Sequence, residues 1–135
     1  MDLSTFFSVT TICRYKNRYL LVKISHRHKY CPGDWDFLAT RIESSRKSAE
    51  KIAYDYTFKY TGLEGKIVKK GSVFEFPDKE SSANWVICPF IMAVKNKDVK
   101  LKKKYTDYKW VKLRDILKYD RLNYLKAYLR AMNLI

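Results

Sequence analysis

The chain has 135 residues, 47% of them apolar and 16% aromatic, which suits one domain with a packed core, residues 1–135, and excludes two. Its 28 Lys+Arg against 14 Asp+Glu give a net charge of +14, which excludes an acidic solvating chain and points to a polyanionic partner. No apolar run approaches the roughly 18 residues of a membrane span, and Met1 to Phe7 lack the basic start of a secretory signal, so a cytoplasmic protein without membrane contact is expected.

In chain order, residues 6–13 are β-branched and aromatic, and after a turn at Lys16-Asn17 residues 19–24 continue in that character, which predicts a β-hairpin. Cys31-Pro32-Gly33-Asp34 breaks the chain. Trp35-Asp36-Phe37-Leu38 alternates as a short strand, and a polar loop runs on through Ser45. Over residues 48–60, Ala49, Ile52, Ala53, Tyr56 and Tyr60 share one helical face, and Gly62 supplies the stop. Residues 66–76 and 84–94 read as two pairing strands joined by the charged loop 77–82. Residues 109–111 read as a short edge strand and 113–117 as one helical turn. Asp120 is the expected N-cap of a last helix that buries Leu122, Leu125, Leu129 and Met132. Mixed strands with two unequal helices make an α/β (α+β) sandwich.

Cys13, Cys31 and Cys88 are odd in number and form no C-x-x-C, so they are expected to be reduced, without a disulfide framework or a zinc site. His26, His28 and Cys31 stand among cations and read as part of a basic loop. The chain contains no glutamine and is rich in Lys, Ile and Tyr, a thermophile-like composition.

The order of elements and several short pieces resemble the Nudix (MutT-like) family, whose members hydrolyse nucleoside diphosphates linked to another group. Val9-Thr10-Thr11-Ile12-Cys13 and Tyr19-Leu20-Leu21-Val22-Lys23 are similar to its first strands, and residues 35–40 to its Trp-x-Phe-Pro-Gly-Gly turn. Tyr60-Thr61-Gly62-Leu63 is similar to its helix end, and residues 108–116 to its late strand and turn. The resemblance covers nearly the whole chain and implies an α/β/α sandwich with a mixed sheet, one central helix and a C-terminal helix.

The family's signature is Gly, five residues, Glu, seven residues, Arg-Glu, an apolar and any residue, Glu-Glu, any residue and Gly. Its helix glutamates hold magnesium because a hard cation needs carboxylate oxygens at fixed spacing on one face. Counting back from Gly62 places Arg41 at the first glycine, Lys47 at the first Glu, Asp55 at the Arg, Tyr56 at the next Glu and Lys59-Tyr60 at the Glu pair. Counting forward from Thr40 places Arg46 at the first Glu, Asp55 at the Glu after the Arg and Phe58-Lys59 at the pair. The Nudix box is therefore degenerate, and the registers differ by one residue. In the second register Asp55 is expected to pair with Lys59 across one turn, either as an exposed helix pair or as an ammonium replacing a metal ion. Glu43, Glu50, Glu75, Asp78 and Glu80 remain as acids that a rebuilt metal site would need, but nothing in their spacing converges them. No catalytic residue, metal or cofactor is expected.

What remains is a basic surface. Arg41 stands at the opening glycine and Arg46, Lys47 and Lys59 at acidic positions of the signature, and Arg27, Lys29, Lys102, Lys103 and Lys104 add clusters. These are the expected phosphate contacts, although the lysine run reads equally as a solvated turn. Tyr15, Tyr30, Tyr54 and Tyr105 are the candidate rings for base stacking; Phe7, Tyr19, Phe37, Phe74, Phe90 and Trp110 are assigned to the core, and Trp35 to a packed turn or to stacking. The expectation is a non-catalytic module that binds RNA or another nucleotide-containing polyanion. The alternatives are a divergent magnesium-dependent hydrolase of nucleoside diphosphate compounds and a protein–protein adaptor; a homo-oligomer is open.

Overall fold

A computed structural model describes residues 3–28, 31–42 and 46–135. Its elements are β1 (Ser4–Tyr15), β2 (Arg18–Ile24), β3 (Trp35–Asp36), β4 (Leu38–Ile42), α1 (Ala49–Thr61), β5 (Gly65–Lys70), β6 (Phe74–Asp78), β7 (Ala83–Val94), β8 (Tyr105–Lys112), a 3-10 helix (Leu113–Tyr119) and α2 (Tyr124–Ala131). Lys29, Tyr30 and Glu43, expected as a phosphate contact, a stacking ring and an acid, lie outside the described residues.

The sheet is mixed. β1 runs parallel to β7 from Ser4↔Ala83 to Arg14↔Ala93, while its other edge pairs antiparallel with β4 over Phe7 to Thr11 and with β2 only at Arg14 and Tyr15. β2 pairs with β8 along its length on the edge away from β1 and with β3 at Val22 and Lys23 on the other, and β5 and β6 both pair with β7. The period of two sorts the core. Val9 and Phe90 pack on Ala53 of α1, whereas Ile12, Ile87 and Ile91 pack with Leu125, Tyr128 and Leu129 of α2. Helices on both faces of a mixed sheet give the expected α/β/α sandwich.

Local chemistry explains the differences from expectation. The strand expected over residues 66–76 breaks at Gly71, where a Cβ would meet Met132 Sδ at 2.2 Å and the Ala131 carbonyl at 2.9 Å. Ser72 N–H donates to that carbonyl, so the break docks the end of α2. In α1 the cap residues are as expected, Ser48 accepting from Lys51 N–H and Gly62 at φ 75° closing on the Phe58 carbonyl. The buried face, however, is Ala53, Thr57 and Thr61, with Tyr56 and Tyr60 only half-buried on its flank. Thr61 satisfies its hydroxyl on the Thr57 carbonyl, which lets a polar side chain be buried there. Phe7, expected in the core, is 55% exposed. It shares the face of Val9 but lies nearer the open end of β1. Asp120 caps α2 from a distance, its carboxylate accepting from Leu125 and Lys126 N–H, while Asn123 at φ 65° makes the turn. Leu122 is only half-buried; Tyr128 takes its place in the stripe.

Among the described residues, no helix is long and apolar enough to cross a membrane.

Candidate functional site

A cavity of about 310 Å³ lies on the face of β1 opposite α1. β1 contributes Ser8, the β3–β4 junction Trp35, Asp36 and Phe37, β7 Trp85 and Ile87, and α2 Tyr124 and Tyr128. Lys104 and Tyr105 at the start of β8 close another side, and Asp34, Asp78, Asp120 and Arg121 stand around it. The size and the aromatic walls with a few polar groups are those of a small-molecule site. Packing fixes the walls: Phe37 and Phe74 meet Tyr128 edge-on at 5.6 Å, and Phe76 stacks on Tyr124 at 4.5 Å. Thr10 donates to the Tyr128 hydroxyl at 2.9 Å, holding the ring at the sheet.

The cavity does not share the excess positive charge of the chain, since Asp34, Asp36, Asp78 and Asp120 stand against Arg41, Lys104 and Arg121. Burial raises the Asp36 carboxyl to about 7, with Asp34 and Asp120 adding to the rise while the Phe37 N–H and Lys104 oppose it. Burial likewise lowers Lys104, whose ammonium donates to the Ala39 carbonyl at 3.2 Å and sits 5.1 Å from the Tyr56 ring centre and 5.7 Å from that of Tyr105. Arg121 spans the rim, its Nε on both oxygens of Asp34 at 2.8 and 2.9 Å and its NH2 on Glu80 at 3.2 Å. Asp78 accepts from the Tyr124 and Ser81 hydroxyls and the Glu80 N–H. Cys31 Sγ lies 3.4 Å from His28 Nδ1, but burial, with Asp36 and Asp34, pushes the thiol up to about 12, and burial and Lys104 lower His28. This pair is no nucleophile, because it holds the proton on sulfur.

The expected basic residues divide between two places. Arg41 reaches the cavity from β4, its guanidinium 4.0 Å from the Phe6 ring centre, and Lys104 is inside. Arg27, Arg46, Lys47, Lys59, Lys102 and Lys103 are exposed on the surface. Asp55 pairs with Lys47 at 2.7 Å and Lys51 at 3.0 Å rather than with Lys59, whose ammonium lies 5.3 Å from the Tyr60 ring centre. Both lysines approach from the N-terminal side, and their hydrogen bonds hold the Asp55 carboxyl below its ordinary range.

The stacking candidates also divide. Tyr105 is only 5% exposed and bonded to the Tyr56 hydroxyl at 2.7 Å, so it is a cavity wall and not a surface ring. Tyr54 is half-buried and accepts the Ile67 N–H at 2.9 Å, and Tyr15 is half-buried edge-on to Trp110. Trp35 lines the cavity and meets Tyr119 edge-on. Sequence reasoning missed Asp36, Trp85, Arg121, Tyr124 and Tyr128. The available signal was an acid set between Trp35 and Phe37 in a strand.

The residues described do not fit the magnesium that the resemblance implies. Asp55 is engaged by two ammonium groups, Glu75 accepts from Asn84, and Glu80 is held by Arg121. Among the described residues no group of three His, Cys, Asp or Glu side chains is placed to hold a metal ion.

No known family's sequence pattern matches the chain, and no curated protein matches it. Solved structures do. A MutT protein from Methanosarcina mazei Go1 superposes with a TM-score of 0.79 at 20% identity, covering 99% of this chain and 96% of that one. The NUDIX domain of Shewanella oneidensis NrtR, solved with ADP ribose, gives 0.78 at 15% identity, covering 97% and 88%. A C. elegans Ap4A hydrolase gives 0.74 at 16% identity, with 96% of both chains covered. The fold of this chain is therefore the Nudix fold.

Proposed function

We propose that the chain is a non-catalytic nucleotide-binding module that seats one base in the aromatic cavity and takes the phosphates of an RNA, or of another nucleotide-containing polyanion, on its surface cations. The observation that carries this reading is the pairing of Asp55 with Lys47 and Lys51. A helix that would have to present carboxylates to magnesium presents ammonium groups instead, and these attract phosphate without a metal. The nucleotide part is supported by the fold's use for ADP ribose in the S. oneidensis domain. The polyanion part is supported by the excess of 14 positive charges, more than one mononucleotide needs.

A second reading, a magnesium-dependent hydrolase of nucleoside diphosphate compounds, is favoured by the activity named for the C. elegans neighbour. It requires that Glu43, Glu50 or Asp55 support turnover, and changing each to Ala would abolish it.

The test is titration with a labelled single-stranded RNA at two salt concentrations, after a low-salt preparation whose absorbance ratio reports any carried RNA. With three phosphates contacted, log affinity falls with log salt at a slope of about −2. Absence of binding at low salt refutes the module.

A further inference from the structure

Most charged groups around the cavity already have partners in the protein. Arg121 is held by Asp34 and Glu80, Asp120 caps α2, and Asp78 takes two hydroxyls and a backbone N–H. Asp36 differs. Its Oδ1 accepts the Phe37 N–H at 2.7 Å, while among the described residues its Oδ2 has no hydrogen-bond donor, and the side chain lines the cavity. Asp36 is half-buried, and an acceptor on a side chain that lines a cavity is open to the donors a ligand brings.

We propose that Asp36 is the residue that selects the cavity's ligand, by accepting two adjacent N–H donors from the edge of a heterocycle such as guanine. This rests on the reading of the cavity as a nucleotide site and adds which base enters it. A carboxylate offers two acceptor oxygens side by side and no donor. Guanine presents its ring N1–H next to its exocyclic amine. Adenine places an acceptor beside its amine, uracil flanks its N–H with carbonyls, and cytosine carries donors only on its amine. Two parallel N–H···O⁻ bonds inside aromatic walls are charge-assisted and shielded from water, which makes them strong and selective.

The groups that face Asp36 set its response to pH. Asp34 and Cys31 stand on the loop after β2, Lys104 and Tyr105 at the start of β8, Tyr56 on α1, and Asp120 and Tyr128 before and in α2. With the free carboxyl near 7, only its ionised form accepts both donors. A guanine ligand therefore binds more tightly as pH rises through that value, and loses up to about tenfold in affinity per pH unit well below it.

Calorimetric titration of the full chain with GMP, IMP and AMP tests this. IMP keeps the ring N–H and lacks the amine. Expected is GMP about tenfold tighter than AMP, IMP between them, and the GMP preference growing with pH. Asp36→Asn, nearly isosteric, removes the preference. If that variant does not fold, the wild-type order of the three nucleotides and its pH dependence decide. Equal binding of GMP and AMP, or a preference that Asp36→Asn leaves intact, overturns the assignment to Asp36 and leaves the nucleotide site standing. No binding of any of the three at millimolar concentration overturns both.

Discussion

The cavity and the surface around α1 belong to one chain of net charge +14, yet acids and cations nearly balance at the first while cations outnumber acids at the second. Asp34, Asp36, Asp78 and Asp120 gather at the cavity with Arg41, Lys104 and Arg121 among them, whereas Arg46, Lys47, Lys51 and Lys59 lie at and before the helix, exposed to water, with Asp55 as the acid paired to two of them. The comparison teaches that a net charge describes the surface and not the site. The four acids that line the cavity stand against Arg41, Lys104 and Arg121, so the chain's excess of positive charge lies on the remaining surface. On the proposed reading the two regions take different parts of one ligand, its donors and rings inside and its phosphates outside.

The comparison breaks first in stability. Phe37→Ala removes a ring only 1% exposed between the sheet and Tyr128, and is expected to cost about 3–5 kcal/mol in urea unfolding. The pH dependence sharpens it next. Asp36 in the folded chain holds its proton to about 7, above its unfolded value, so its contribution is fully present below about pH 4 and is lost as pH rises through about 7. Unfolding free energy measured across that window is expected to fall by about 2–4 kcal/mol, and Asp36→Asn is expected to flatten the profile. Smaller is Gly71→Ala, whose Cβ meets Met132 and the Ala131 carbonyl where α2 docks beside the cavity; about 1–3 kcal/mol is expected from thermal unfolding. Smallest in stability is Arg46→Glu with Lys59→Glu, two exposed sites where a change within about 0.5 kcal/mol is expected. The same pair is expected to lower the salt slope of RNA binding by about 1.4, two phosphate contacts; an unchanged slope removes this face from the account.

How much was legible in the sequence follows from how local each signal is. α1 was legible because Ser48, the helical spacing and Gly62 all lie within one segment, and the β1–β2 hairpin because its turn separates two β-branched runs. The break at Gly71 was not legible, since it depends on Met132, some sixty residues away. The surface cations were legible from charge alone, but Lys104 was read with Lys102 and Lys103, although only Lys104 turns inward to Ala39. The cavity was illegible because its residues come from β1, β3, β7, β8 and α2, and no spacing connects Asp36 with Trp85 or Tyr128. Asp55 shows the limit of register counting: its i+4 lysine was visible, but so was Lys51 at i−4, and Lys47 joins by the path of the chain before the helix.

The central claim is binding without metal chemistry. Its most direct test is to incubate the purified chain with a nucleoside diphosphate compound and with labelled single-stranded RNA, each with magnesium and with a chelator, following cleavage and binding together. The account predicts salt-sensitive RNA binding that the chelator leaves unchanged, and no cleavage in either condition. Magnesium-dependent release of a nucleoside monophosphate, lost on changing Glu43, Glu50 or Asp55 to Ala, would contradict it.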